Sequence, residues 1–135
     1  MPELQEFARA WKLTRRIVDA LSGQTGHFVG TAEFRADADG LVYHEAGEMR
    51  LGSGPALWAE RSYLWRQGAR GIEVYFDDGR FFHRIEPQPC PEADHWCDPD
   101  SYRVAYDFSG WPNWSARWTV VGPRKNYEMI SDYRR

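Results

Sequence analysis

The chain is short of aliphatic side chains, of cysteine and of net charge, and each shortage removes a class of protein. Ile, Leu, Val and Phe together supply 25 of 135 residues, low enough that a disordered chain has to be weighed. No apolar run approaches the length needed to span a bilayer, so no membrane partner is expected. The first residues, Met1-Pro2-Glu3-Leu4-Gln5-Glu6, lack the basic and apolar regions of a secretory signal, which points to the cytoplasm. A net charge of −3 lacks the basic footprint of a general nucleic-acid binder. The only two cysteines, Cys90 and Cys97, lie in a Pro-rich stretch. Without an export signal they are expected as reduced thiols.

Rings stand where aliphatics are missing. Seven Trp, seven Tyr and seven Phe make 16% of the sequence. Each buries far more area than an aliphatic side chain, so a core of rings favours folding over disorder. The length fits a single domain over residues 1–135.

A short helix is expected over about residues 3–8, where Pro2 suits a first turn and Glu3 and Glu6 suit the positive end of the helix dipole. A strand follows over about 11–20, which is rich in Thr, Ile and Val. From Gly26 onward nearly every segment alternates and is bounded by turn residues. Phe28, Gly30, Ala32 and Phe34 share a face, as do Tyr43, Glu45, Gly47 and Met49, then Leu57, Ala59, Arg61, Tyr63 and Trp65. Asp37-Ala38-Asp39-Gly40 and Asp77-Asp78-Gly79-Arg80 read as hairpin turns. After the second, Phe81, His83 and Ile85 share one face and Arg80, Phe82 and Arg84 the other. Residues 86–100 read as a long Pro-rich loop. Three further strands carry Tyr102 to Phe108, Trp114 to Val120 and Tyr127 to Tyr133. About nine strands joined by short turns predict an all-β protein, an antiparallel up-and-down barrel of about 8–10 strands. Closure into a barrel also removes the edges that a sandwich must protect.

Several strings go further: Trp11-x-Leu13-x-Arg15-x-Ile17-x-Asp19, Gly26-x-Phe28-x-Gly30-x-Ala32-x-Phe34, Tyr43-x-Glu45-x-Gly47, Asp78-Gly79-Arg80-Phe81-Phe82-His83, His95-x-Cys97-x-x-Asp100-x-Tyr102 and Trp118-x-Val120-x-Gly122-Pro123-x-Lys125-x-Tyr127. In these the chain resembles, over nearly its whole length, an uncharacterised family of small, mostly bacterial domains with a calycin-like, or lipocalin-like, barrel. The resemblance implies a fold and a cavity and supplies no activity. It also implies that an N-terminal Trp strand and a basic residue near the C-terminus close one end, parts that fall to Trp11 and one of Arg124, Lys125 or Arg134. The lipocalin opening Gly-x-Trp is replaced here by Arg9-Ala10-Trp11.

In such a barrel one face of every strand points inward around space for side chains or one small ligand. The inward set then includes Arg15, Tyr43, Glu45, Arg61, Tyr63, His83, Tyr102, Trp118 and Tyr127, an unusually polar lining. Buried ions need partners, so one reading is a structural network in which Glu45 neutralises Arg15 or Arg61 and the tyrosine hydroxyls take the remaining bonds. The other is a pocket for a partly polar, anionic or aromatic small molecule. There Arg15, Arg61 and His83 meet its polar end and Tyr43, Tyr63, Tyr102, Trp118 and Tyr127 enclose the rest. An enzyme using His83 and Glu45 as acid and base is an alternative, as is a partner or assembly module using the loop around His95 and Trp96. His95 and Cys97 share one side of an extended segment, but zinc wants four ligands and closer cysteine spacing, so neither metal nor cofactor is expected. Trp58, Trp96, Trp111 and Trp114 are expected exposed in or beside loops, and a homodimer is left open.

Overall fold

Alternation and turn chemistry act together in this chain. The Asp37 carboxylate accepts hydrogen bonds from the backbone N–H groups of Asp39 and Gly40 at 2.9 and 2.8 Å. Gly79, at φ +91°, supplies the left-handed residue of the Asp77–Arg80 turn. Such turns connect ten strands: β1 (Ala10–Asp19), β2 (Thr25–Ala36), β3 (Leu41–Leu51), β4 (Leu57–Gly68), β5 (Gly71–Phe76), β6 (Phe81–Ile85), β7 (Glu92–Cys97), β8 (Asp100–Asp107), β9 (Trp114–Gly122) and β10 (Lys125–Arg134). The computed structural model describes residues 1–135 and places all ten in one antiparallel sheet, in the order β6-β5-β4-β3-β2-β1-β10-β9-β8-β7. The sheet curls until β6 and β7 face each other without a ladder between them, where Phe82 stands edge-on to His95 with ring centroids 5.1 Å apart. The result is an all-β, nearly closed barrel, as the alternation predicts.

Glycine lets the wall bend. Gly30 and Gly47 are cross-strand partners on β2 and β3, and a Cβ on Gly30 would stand 2.1 Å from the Ala46 carbonyl oxygen. Only a residue without a side chain permits that approach. The same glycine leaves bare backbone on the inner wall between Arg15 of β1 and Glu45 of β3.

One end of the barrel is plugged. The predicted helix over 3–8 is a single 3₁₀ turn, Leu4–Phe7, whose Glu3 backbone N–H donates to the Glu6 carboxylate at 2.6 Å. It drives Phe7 into a cluster of rings from Phe34, Trp65, Phe108, Trp111 and Trp114. Trp11 closes this end, with its indole N–H donating to the Phe7 carbonyl at 3.1 Å. The cation over its ring is Arg9, 5.2 Å from the centroid. Arg9 lies two residues before Trp11, whereas the resemblance looked for this cation at Arg124, Lys125 or Arg134.

Three readings are corrected. Residues 86–100 are not one loop, because Glu92–Cys97 forms β7 and raises the strand count from nine to ten. The prolines lie just before it, facing β8, where a residue without an N–H can accept but not donate, so the regular ladder begins only at Glu92. The carbonyls of Pro91 and Pro89 still accept from the N–H groups of Tyr106 and Phe108 at 2.9 Å each. On β6 the alternation is broken by a bulge: Val74 pairs with His83 but Tyr75 pairs with Phe81, leaving Phe82 without a partner. Phe82 and His83 are therefore both buried, while Phe81 turns toward solvent. Trp114, expected exposed, is buried and stacked on Tyr133 at 3.8 Å, and Trp111 is half-buried against Trp11. Trp58 and Trp96 are exposed as expected.

Candidate functional site

Above the plug lies a cavity of about 560 Å³, open at the opposite end, within the range that holds small-molecule ligands. All nine residues singled out from the sequence line it: Arg15, Tyr43, Glu45, Arg61, Tyr63, His83, Tyr102, Trp118 and Tyr127. Trp65 and Trp114 form part of its floor. Arg80, from the β5–β6 turn, and Phe81, Trp96 and Cys97, at strand ends, lie at the open mouth. Phe82, which alternation turns outward, lies stacked between Trp118 at 5.1 Å and Phe76 at 4.4 Å, giving the cavity a wall of parallel rings.

The nine residues do not play one part. Arg15 is fully engaged: its two Nη groups donate to Glu45 at 2.7 and 2.9 Å and its Nε to Ser131 Oγ at 2.7 Å. Tyr43 donates to Glu45 at 2.6 Å and its hydroxyl also meets that of Tyr133 at 2.9 Å. The structural network foreseen in the sequence is thus present, and it uses Arg15 rather than Arg61. Burial pushes the Glu45 carboxyl up, but the guanidinium of Arg15 and the Tyr43 hydroxyl outweigh it and hold the group below the usual carboxylate range.

Arg61 is different. It lies opposite Glu45 on the neighbouring strand, yet its Nε is 3.8 Å from that carboxylate and its Nη1 reaches Tyr63 only at 3.4 Å. Its side chain is half-exposed toward the mouth. Arg80, also at the mouth, is paired with Asp78 at 2.7 Å. Lys125, from the last turn, is paired with Asp100 at 3.0 Å and donates to Tyr102 at 3.4 Å.

His83 is almost fully buried, and its Nε2 lies 2.9 Å from the Tyr106 hydroxyl. No hydrogen bond connects it to Glu45, and each is already taken by other groups. The two are therefore not assembled as an acid–base pair. Desolvation, with His95 adding a smaller repulsion, lowers the His83 pKa to about 3, so the ring is neutral near pH 7. The consequence for stability has a sign. Below the ordinary histidine range the unfolded chain takes up a proton that folded His83 refuses, so stability falls as the pH drops from about 6.5 toward 3. About 1.5 kcal/mol should be lost between pH 6.5 and 5, above the range where Glu45 begins to contribute. Urea unfolding across that interval should show this slope in the wild type and a flatter one in His83→Phe. Equal slopes would place the acid sensitivity elsewhere.

His95 and Cys97, considered above as a metal pair or partner loop, instead belong to β7 and line the cavity. Trp96, between them, is mainly solvent-exposed while also reaching the mouth. Cys90 is remote from them in its contacts, with its thiol 3.6 Å from Asp107, and both cysteines are exposed and unpaired. The residues missed from the sequence, chiefly Phe82, Trp114 and His95, were hidden by a bulge, by a turn-rich context and by prolines. Only the burial of so many rings in so small a chain hinted at them.

Comparison with known proteins agrees with this architecture. A family described as "Family of unknown function (DUF6314)" matches residues 7–135. No curated protein matches the sequence. Among solved structures, the S-type phycobiliprotein lyase CPES from Guillardia theta superposes with a TM-score of 0.67 over 98% of this chain and 89% of its own, at 8% identity. At that identity the likeness is one of fold.

Proposed function

Because the chain belongs to DUF6314, a family of unknown function, we propose its role from the cavity: it binds a flat, partly aromatic small molecule that carries a negative charge. The rings lie among Tyr63, Phe82, Tyr102, Trp118 and Tyr127, and the anionic group meets Arg61. The observation that carries this reading is a charge balance inside a ligand-sized space. The cavity is lined by three arginines and one carboxylate. Arg15 cancels Glu45 and Arg80 is paired with Asp78, which leaves Arg61 as the cation without a close partner. A guanidinium at the edge of a partly desolvated, ring-lined space favours a carboxylate, sulfonate or phosphate attached to a flat body. That a phycobiliprotein lyase has the same fold is in keeping with a barrel that handles a small molecule. In this reading Arg15, Glu45 and Tyr43 stand behind the ligand as a fixed polar wall.

The test uses anthracene-2-sulfonate, a flat fluorescent anion. It should bind the wild type saturably at one site, and Arg61→Gln should weaken binding about tenfold, the loss of one charge-assisted contact. Arg61→Lys, which keeps the charge but loses the fork, should fall between. Unsaturable binding, or equal affinity in Arg61→Gln, would overturn the proposal.

A further inference from the structure

Two polar atoms inside the barrel have no partner within the chain: Nδ1 of His83 and Nε1 of Trp114. Both side chains line the cavity, and both are more than nine-tenths buried, at 3% and 4% exposure. They flank one ring, that of Tyr106, with centroids 5.9 Å from it for His83 and 6.4 Å for Trp114. Burying an unpaired N–H group is costly, and a native interior carries few of them.

The hydrogen each atom bears follows from its neighbours. The indole nitrogen of Trp114 is always a donor. For His83, two arrangements exist on the 2.9 Å bond to Tyr106. If the imidazole donates through Nε2, the Tyr106 hydroxyl hydrogen has no other acceptor and Nδ1 is unpaired as well. If Tyr106 donates to Nε2, only the Nδ1–H is left over. The second leaves fewer buried groups unmatched, so His83 presents Nδ1–H as a donor. The other deep hydroxyls are already used, Tyr43 on Glu45 and Tyr133 on Tyr43.

We infer that the deep end of the cavity, at His83 and Trp114, is a donor-only recognition site for an uncharged hydrogen-bond acceptor, a carbonyl oxygen or an unprotonated ring nitrogen, on the inner end of the ligand. This rests on the binding reading above and adds a second point of specificity to it. Arg61 at the mouth selects charge, and the floor selects acceptors over donors or bare hydrocarbon. A site with buried donors rejects an isostere that cannot pair them, since that molecule leaves both N–H groups dry.

Two probes separate this inference from the reading beneath it. Anthraquinone-2-sulfonate and anthracene-2-sulfonate share shape and charge and differ in the ring carbonyls. Calorimetric titration of the wild type should give the quinone an affinity about tenfold or more above that of the hydrocarbon. His83→Phe and Trp114→Phe should each reduce that preference to about threefold or less. Equal wild-type affinities would overturn the inference and leave the binding reading intact. So would a preference that survives both substitutions. Binding of neither probe would remove both. Should either variant fail to fold, the wild-type comparison and the other variant still decide.

Discussion

Arg15→Met should lower the unfolding free energy by about 3–5 kcal/mol, because it leaves the Glu45 carboxylate buried with its bidentate partner gone. The side chains of the pair are 9% and 4% exposed, so solvent cannot replace the lost guanidinium. Arg61, 3.8 Å away and half in solvent, compensates little. The double variant Arg15→Met with Glu45→Gln should recover most of the loss, since it removes the stranded charge along with its partner. The pH dependence gives an independent check. In the wild type the depressed Glu45 pKa contributes stability that is complete above the ordinary carboxylate value and is lost as the pH falls through the depressed one. In Arg15→Met burial, the largest influence, is opposed only by the Tyr43 hydroxyl and the more distant Arg61 and raises that pKa, so the deficit should be largest at neutral pH and shrink on acidification. Urea unfolding at pH 7.5 and 5 reads both effects. A single variant costing no more than the double would mean that Arg15 is free to serve a ligand.

Phe7→Ala should be comparably severe, again about 3–5 kcal/mol. The ring is 0% exposed and meets Trp111, Trp65 and Trp114 at 5.0, 5.2 and 5.3 Å, with Phe34 and Phe108 just beyond. These neighbours come from β2, β4, β9 and the β8–β9 turn and hold one another in tilted and edge-on arrangements, so they have little freedom to collapse into the space left behind. Much of the plug's anchorage is this one side chain, because the helical turn carrying it is only four residues long. Thermal unfolding should therefore shift sharply downward, and near-ultraviolet dichroism should lose intensity from the surrounding tryptophans. A loss below about 1 kcal/mol would show that the closed end is held by Trp11 alone.

The wall of the barrel was legible in the sequence because a two-residue period is unambiguous wherever one face meets a core. Strands β2, β3, β9 and β10 carry that period cleanly, and their inward residues follow from it. Strand β6 does not, since the unpaired Phe82 turns inward and Phe81 outward while His83 and Ile85 keep the inward side that alternation gives them, and nothing in Phe81-Phe82-His83 distinguishes a bulge from plain alternation. Strand β7 was hidden by the prolines just before it, which meet β8 through their carbonyls alone, a pairing that only the assembled sheet reveals. The nine lining residues were readable as a set, whereas the division between a spent Arg15 and a spare Arg61 was not. That division depends on which side chain reaches Glu45 across the gap at Gly30, a matter of ångströms in three dimensions.

The gap between β6 and β7 has a bearing on how the chain comes together. Apart from the pairing of β1 with β10, every ladder joins strands that follow one another in sequence. The barrel is therefore two meanders, β1–β6 and β7–β10, and the only ladder uniting them is made by strands from opposite ends of the chain. Local hairpins form early and that joining carries most of the loop-closure entropy, so the topology weighs more on folding rate than on final stability. Arg15 to Ser131 and Tyr43 to Tyr133 are hydrogen bonds across this same junction. They act as a clasp on the last step of assembly. A circular permutant opened between β6 and β7, with Arg135 linked to Met1, would run its ten strands around the barrel in unbroken order. The natural order instead makes the interior contingent on the meeting of the first strand and the last.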